Sequence, residues 1–175
     1  MKSPFHILLK LAALLTVCLC LASCFSINYS TKGGYIPPEA KTFSVQYIEN
    51  QARIVEPNLS QELTDKLKDY LQGNTTLTLV NRDADIDFEA VITTYEPDKP
   101  VAITSGDEAA KNRFTIGVKV KMTCVVKPEI DFESSFTRYE DYSSSENFES
   151  LRADLTTKML ELILDDIYKK AFVNW

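Results

Sequence analysis

Two segments in which apolar and polar residues alternate constrain the fold of this 175-residue chain most strongly. They are residues 85–95, DIDFEAVITTY, and residues 114–126, FTIGVKVKMTCVV. A period of two residues is typical of a strand that buries one face and exposes the other. The sequence therefore predicts two long strands, whose buried faces contain Ile86, Phe88, Ala90 and Ile92 in the first and Phe114, Ile116, Val118, Val120, Met122 and Cys124 in the second.

Three further segments predict additional strands. Residues 42–48, TFSVQYI, alternate in the same way, and residues 76–80, TLTLV, predict a short strand. Residues 131–142, DFESSFTRYEDY, follow a turn and predict an antiparallel partner for the strand at 114–126. In the first of these segments the predicted inward face contains Phe43, Val45 and Tyr47.

Two segments carry apolar residues at helical spacing. The first follows Asn58, a predicted N-cap, and stops at Gly73. The second covers about residues 146–170, after a predicted capping box formed by Ser143 and Glu146. Their apolar stripes contain Leu59, Leu63, Leu67, Tyr70 and Leu71 in the first helix and Phe148, Leu151, Leu155, Met159, Ile163 and Ile167 in the second.

The order of these segments predicts the fold class. Residues 97–112 contain two prolines, a glycine and mixed charge, which predicts a long loop between the two long strands. The resulting order is β-α-β-β-β-β-α. We therefore expect an α+β domain with a mostly antiparallel sheet of four to five strands and two helices packed on one face.

The N-terminal region predicts export and lipid anchoring. Residues 11–22, LAALLTVCLCLA, follow two lysines and are too short to span a membrane, which needs roughly 20 apolar residues. Residues 21–24, Leu-Ala-Ser-Cys, resemble a bacterial lipobox, although an ordinary cleaved signal peptide remains the alternative. We predict a lipoprotein signal peptide at 1–23, a flexible tether at 24–41 lipidated on Cys24, and a single α+β domain at 42–175.

The chain that remains after cleavage offers little for catalysis. His6 is the single histidine and is removed with the signal peptide, so the commonest general base is missing. Asp83, Asp85 and Asp87 superficially resemble a calcium loop, but Phe88 occupies the position of the turn glycine. We predict no enzyme activity, no cofactor and no metal site. No nucleic-acid partner is predicted either.

Basic residues are the main candidates for ligand contact. Arg113, Lys119, Lys121 and Lys127 are spaced so that they point away from the buried face of the strand at 114–126, where they are candidates for contact with anionic glycolipid. The alternative is that Asp85, Asp87 and Glu133 on neighbouring strands neutralise them as cross-strand pairs. Two more candidates, in the predicted loop, are Lys99 and Lys111.

Four stretches and the lipobox carry a resemblance to a known family. They are residues 33–45, GGYIPPEAKTFSV; 80–95, VNRDADIDFEAVITTY; 107–120, DEAAKNRFTIGVKV; and 171–175, AFVNW. In these stretches the chain resembles a divergent branch of the LptE lipopolysaccharide-assembly lipoproteins. The resemblance covers nearly all of the chain after Cys24.

The resemblance implies a structural role. Proteins of this type act as plug and assembly partner of LptD, an outer-membrane β-barrel that places lipopolysaccharide in the outer leaflet. We therefore expect a lipid-anchored, periplasm-facing outer-membrane lipoprotein with an LptD-type partner, and with lipopolysaccharide as a further candidate ligand. The alternatives are a free-standing periplasmic lipoprotein that binds a ligand or cell-wall component and, third, a small lipoprotein hydrolase.

Overall fold

The computed structural model describes residues 35–101 and 110–173. The predicted signal peptide and Cys24 lie outside these residues. The described part contains six strands, two helices and one 3₁₀ turn. In chain order these are β1 (Thr42–Val45), β2 (Glu49–Asn50), α1 (Leu59–Asn74), β3 (Thr78–Leu79), β4 (Ile86–Val101), β5 (Lys111–Cys124), the 3₁₀ turn (Pro128–Ile130), β6 (Phe132–Ser143) and α2 (Phe148–Phe172).

The strands form one mixed sheet, whereas the sequence predicted a mostly antiparallel one. The strand order is β3-β1-β4-β5-β6, and β2 pairs with β4 beyond the end of β1. β4, β5 and β6 are antiparallel, as expected, but β1 runs parallel to both β3 and β4. The reason is that α1 lies between β1 and β3, and a helical crossover returns the chain in the same direction.

A break after β1 changes which residues of the first segment are buried. The sequence predicted one strand over 42–48 with Tyr47 on the inward face. Instead Tyr47 is 60% exposed and Ile48 is fully buried. The chain leaves the sheet here, and the Ile48 N–H donates to the Thr64 hydroxyl of α1 at 3.0 Å, which turns the Ile48 side chain inward.

The predicted long loop at 97–112 is wrong at both ends. β4 continues to Val101 and β5 already begins at Lys111, so residues 102–109, which lie outside the described part, connect the two strands. The pairing shifts between Glu96 and Lys99, where Pro97 and Asp98 have no partner in the register. Prolines are tolerated in a sheet at such irregularities, which explains how Pro97 fits in this strand.

The helix ends also differ from the prediction. Asn58 precedes α1, but its side chain makes no capping hydrogen bond, and Gly73 lies inside the helix. At α2 the cap is Asn147, whose Oδ1 accepts from the Glu149 N–H at 2.9 Å. The predicted capping box of Ser143 and Glu146 is therefore wrong, because the helix begins later than expected.

Both helices pack on the side of the sheet that carries the predicted inward residues. α2 contacts β5 and β6, while α1 contacts β1, β2 and β3, and the two helices contact each other. Every predicted inward residue of β5 is buried, as are those of β4 from Ile86 to Ile92. The packed region also includes part of the predicted tether, since Pro37 and Ala40 are buried and the Tyr35 N–H donates to the Phe172 carbonyl.

Candidate interaction surface

The side of the sheet opposite the helices is polar and accessible to solvent. We call it the open face. It is formed by alternate side chains of β4, β5 and β6 that lie next to each other in the strand register: Asp87, Glu89, Val91, Arg113, Thr115, Lys119, Lys121, Glu133, Ser135, Thr137, Tyr139 and Asp141. Arg113, Lys119 and Lys121 share this face, as the strand period predicted.

In the middle of the open face, lysines and glutamates alternate across the strands. The Lys121 ammonium lies 3.3 Å from Glu89 Oε1, and Lys119 forms an ion pair with Glu133. Lys119 donates a hydrogen bond to Glu133, which holds the pKa of that carboxyl below its usual value. The two lysines are thus matched by carboxylates of the neighbouring strands. A shallow groove of about 290 Å³ beside them is lined by Tyr47 and Val91 as well.

Arg113 is held in one orientation by two neighbours. Its Nε and Nη2 donate to the two oxygens of Asp141 at 2.7 and 3.0 Å, a bidentate arrangement. Its guanidinium carbon also lies 3.8 Å from the centre of the Tyr139 ring, a cation–π contact. The hydrogen bond from Arg113 holds the pKa of Asp141 below its usual value.

Three cations lie where β4 ends and β5 begins. Lys99 lies directly opposite Arg113 in the register, and Lys111 begins β5. Lys99 is 3.9 Å from Glu96, and within the described part of the chain Lys111 makes no salt bridge. We call Lys99, Lys111 and Arg113 the basic end. A groove of about 360 Å³ on this end is lined by Lys99, Arg113 and Tyr139, among others.

Lys127 is separated from the other basic candidates. It comes three residues after Cys124, the last residue of β5, at the opposite end of that strand from the basic end. Its ammonium donates to the Tyr35 hydroxyl at 3.3 Å and lies 4.5 Å from the centre of that ring. The six basic candidates therefore occupy three places: the middle of the open face, the basic end, and the end where the described chain begins.

Asp85 and Asp87 do not pair with these lysines, contrary to the cross-strand alternative. Asp85 Oδ2 accepts from the Lys41 N–H at 2.8 Å and from the N–H and hydroxyl of Thr42, both at 2.9 Å. These bonds, the Lys41 N–H first, hold the pKa of Asp85 below its usual value. Asp87 accepts from Ser44 at 2.5 Å and Gln46 at 2.8 Å. Both carboxylates fasten β1 to β4, a role that only the parallel pairing reveals.

Other functional groups are scarce in the described part of the chain. Within it, no cluster of three or more His, Cys, Asp or Glu residues is arranged to hold a metal ion. The Cys124 thiol is buried, and this burial raises its pKa, which disfavours the reactive thiolate. Neither helix of this part combines the length and apolarity that crossing a membrane requires.

The family of the chain follows from a match that spans most of it. A family model described as LptE, lipopolysaccharide-assembly, matches residues 40–171. The chain belongs to the LptE family. The match covers every strand and almost all of both helices, and it confirms the resemblance found in the sequence. LptE is a non-enzymatic family of outer-membrane lipoproteins.

Solved structures of similar fold are distant in sequence. A minor lipoprotein from Acinetobacter baumannii is 14% identical, with a TM-score of 0.51, over 75% of this chain and 91% of that one. A hypothetical protein from Chlamydia trachomatis is 11% identical, with a TM-score of 0.51, over 77% of this chain and 99% of that one. At these identities the likeness concerns the fold alone. A comparison with curated proteins found no match.

Proposed function

We propose that this LptE protein is anchored to the outer membrane through Cys24, faces the periplasm, and acts as plug and assembly partner of an LptD β-barrel in lipopolysaccharide transport. The observation that carries the proposal is the family match over residues 40–171. Within the family, the plug role requires a folded domain whose outer surface suits a barrel interior.

The surface of the domain supports that role. The lumen of a large membrane β-barrel is polar. The open face presents ion-paired and hydroxyl side chains to its surroundings, with Glu89–Lys121 and Lys119–Glu133 already matched on the domain itself. Charges that are paired in this way lose less on entering a confined polar space than isolated charges would. The open face is thus a suitable surface for contact with a lumen wall.

The basic end is the best-placed site for contact with lipopolysaccharide phosphates. Lys119 and Lys121 are matched by glutamates, and Arg113 is held by Asp141. Lys99 is the most exposed of these four cations, and its ion pair with Glu96 is long, at 3.9 Å, so its ammonium can reach an anionic group at little cost. Lys111 lies two residues before Arg113, the register partner of Lys99.

Gentle solubilisation of outer membranes followed by purification of a C-terminally tagged copy tests the proposal. We expect a barrel of LptD type to remain bound in stoichiometric amount through washes at high salt, because the contact is extensive. The matched control is the same tagged chain with Cys24→Ser, which lacks the lipid attachment site. It should recover the barrel poorly from cells, because the domain is not held at the membrane.

Recovery of the acylated lipoprotein alone would contradict the plug role. That result would favour a free-standing lipoprotein that binds a ligand or a cell-wall component. The groove of about 290 Å³ next to Tyr47 would then be the first place to look for the ligand.

A further inference from the structure

Exposed apolar side chains gather at the end of the domain where the described chain begins. Of the large hydrophobic side chains exposed in residues 35–101 and 110–173, four lie at this end. Val125 is the most exposed of them, at 75%. We call this group, together with the adjacent lysine, the anchor patch; it consists of Tyr35, Val125, Val126, Lys127 and Val173.

Hydrogen bonds and ring contacts hold the anchor patch together. The Tyr35 N–H donates to the carbonyl of Phe172, the residue before Val173, at 2.5 Å. The Tyr35 ring lies under the Lys127 ammonium, 4.5 Å away. The Val125 N–H donates to the Asp85 carbonyl at 2.9 Å, so the backbone is fixed while the valine side chains point outward. The patch is therefore a defined surface and not a set of unrelated side chains.

The chemistry of the anchor patch matches a phospholipid headgroup layer. Tyrosine favours the membrane interface, since its ring is apolar and its hydroxyl is polar. Lysine can place its stem along apolar surface while its ammonium reaches phosphate. Glu129 lies on the same turn and is exposed, which suits a shallow contact at headgroup level and not insertion into hydrocarbon.

The chain leads from the anchor patch to the predicted lipid attachment site. Ten residues lie between Cys24 and Tyr35, which limits the distance between the two to roughly 40 Å. We propose that the anchor patch rests on the phospholipid leaflet that holds the acyl chains of Cys24. This inference rests on the lipid anchor of the proposed function but not on the barrel partner. It orients the domain, with the basic end directed away from that leaflet.

Site-specific fluorescence on vesicles tests the inference. The full chain, processed and acylated in cells, is prepared as a Val125→Cys variant, labelled with an environment-sensitive fluorophore and reconstituted in phosphatidylethanolamine–phosphatidylglycerol vesicles. The matched control carries the label at Tyr139→Cys, an exposed site on the open face. We expect blue-shifted emission and quenching by nitroxide headgroup lipids at position 125, and water-like, unquenched emission at 139.

Further variants make the result decisive. A label at Val173→Cys reports on the same patch if the first variant folds poorly, and Val126→Asp should abolish the quenching at 125. Water-like emission at both 125 and 173 would overturn the inference. Protection that occurs only in outer membranes, and not on vesicles, would also overturn it, because the patch would then face a protein. Mass spectrometry of the N-terminal peptide shows separately whether Cys24 is acylated. It therefore distinguishes failure of this inference from failure of the proposed lipid anchor.

Discussion

Arg138 on β6 and Asp166 on α2 form a bidentate ion pair that fastens the edge of the sheet to the long helix. Arg138 Nε lies 2.6 Å from Asp166 Oδ2, and Nη2 lies 2.5 Å from Oδ1. The hydrogen bond to Asp166 raises the pKa of Arg138 above its usual value. The pair is partly exposed, so solvent weakens it, but its two parallel bonds make it more specific than a single surface contact.

A double-mutant cycle of Arg138→Gln and Asp166→Asn measures this contact. We expect a coupling free energy of about 0.5–1 kcal/mol in chemical unfolding, since the pair is bidentate but only half-buried. The pair Glu62 and Lys66 on α1, at 3.9 Å, is the control and should give about 0.3 kcal/mol. Equal coupling free energies in the two cycles would show that the bidentate geometry of the Arg138 pair adds nothing to stability.

Gly117 leaves room for an irregularity in the pairing of β4 with β5. The register shifts between Ile92 and Thr94, opposite Gly117, and this shift brings Tyr95 to the buried side. A Cβ on Gly117 would meet Thr94 Cβ and Oγ1 at 3.0 Å. We expect Gly117→Ala to lower the free energy of unfolding by about 1–3 kcal/mol, as crowding in a packed region does, which chemical denaturation would measure.

Gly73 provides the matched control for that substitution. It lies inside α1, and a Cβ there would meet no atom within 4 Å. Alanine is a better helix former than glycine, so Gly73→Ala should raise the free energy of unfolding by about 0.5–1 kcal/mol. A loss of stability in both variants would mean that close packing does not explain the effect at Gly117.

The Asp85 carboxylate makes stability depend on pH in the acid range. The pKa of Asp85 is lower in the folded than in the unfolded state. Its contribution to the free energy of unfolding is therefore fully present above the unfolded-state pKa, and it is lost as pH falls through the folded-state pKa. Asp85→Asn should therefore be less stable than wild type at neutral pH, and the difference should shrink toward zero in acid. Thermal unfolding between neutral and strongly acid pH measures it, with Asp154→Asn on the exposed side of α2 as control.

The Cys124 thiol should be inert while the domain is folded. It is buried, and its raised pKa leaves little thiolate at neutral pH. We expect alkylation by iodoacetamide only as fast as the domain opens, with full reaction in denaturant. An added thiol at the exposed Val125 position should react rapidly in the folded protein. Fast native labelling of Cys124 would show that the end of β5 is open to solvent.

Replacing the two lysines of the basic end tests its role in glycolipid contact. Lys99→Gln and Lys111→Gln should each weaken binding to lipopolysaccharide by about fivefold, the usual contribution of one cation near an anionic lipid surface. Lys66→Gln on α1, on the helical side of the domain, should leave binding unchanged. Titration with fluorescent lipopolysaccharide measures the affinity of all three variants. Equal losses of affinity in all three would indicate a general effect of net charge and not a site at the basic end.

The local pattern of the sequence predicted the strands and their faces only as far as the pairing stays regular. Alternation identified the buried residues of β5 correctly because its pairing with β6 stays regular from Lys111 to Met122. It failed at Tyr47 and Ile48, since the chain leaves the sheet there to bond with Thr64 on α1. The parallel pairing of β1 escaped prediction because strand direction depends on the crossover, not on the pattern within the strand.

The candidate site was predictable in the same partial way. Strand period placed Arg113, Lys119 and Lys121 on one face, which the structure confirms. It did not reveal that the basic residues occupy three separate places, because that division depends on where β4 and β5 begin and end. The role of Asp85 in fastening β1 was hidden too, since its partners Lys41 and Thr42 lie more than forty residues away in sequence.

Photo-crosslinking from opposite sides of the domain tests the central claim, that this protein is the plug of a barrel. A photoreactive residue is placed in cells at Ser135, exposed on the open face, or at Glu161, exposed on the outer side of α2. A plug is surrounded by its barrel, so both positions should crosslink to the same LptD-type protein. Crosslinks to that barrel from neither position, in membranes where the lipoprotein is acylated, would contradict the account.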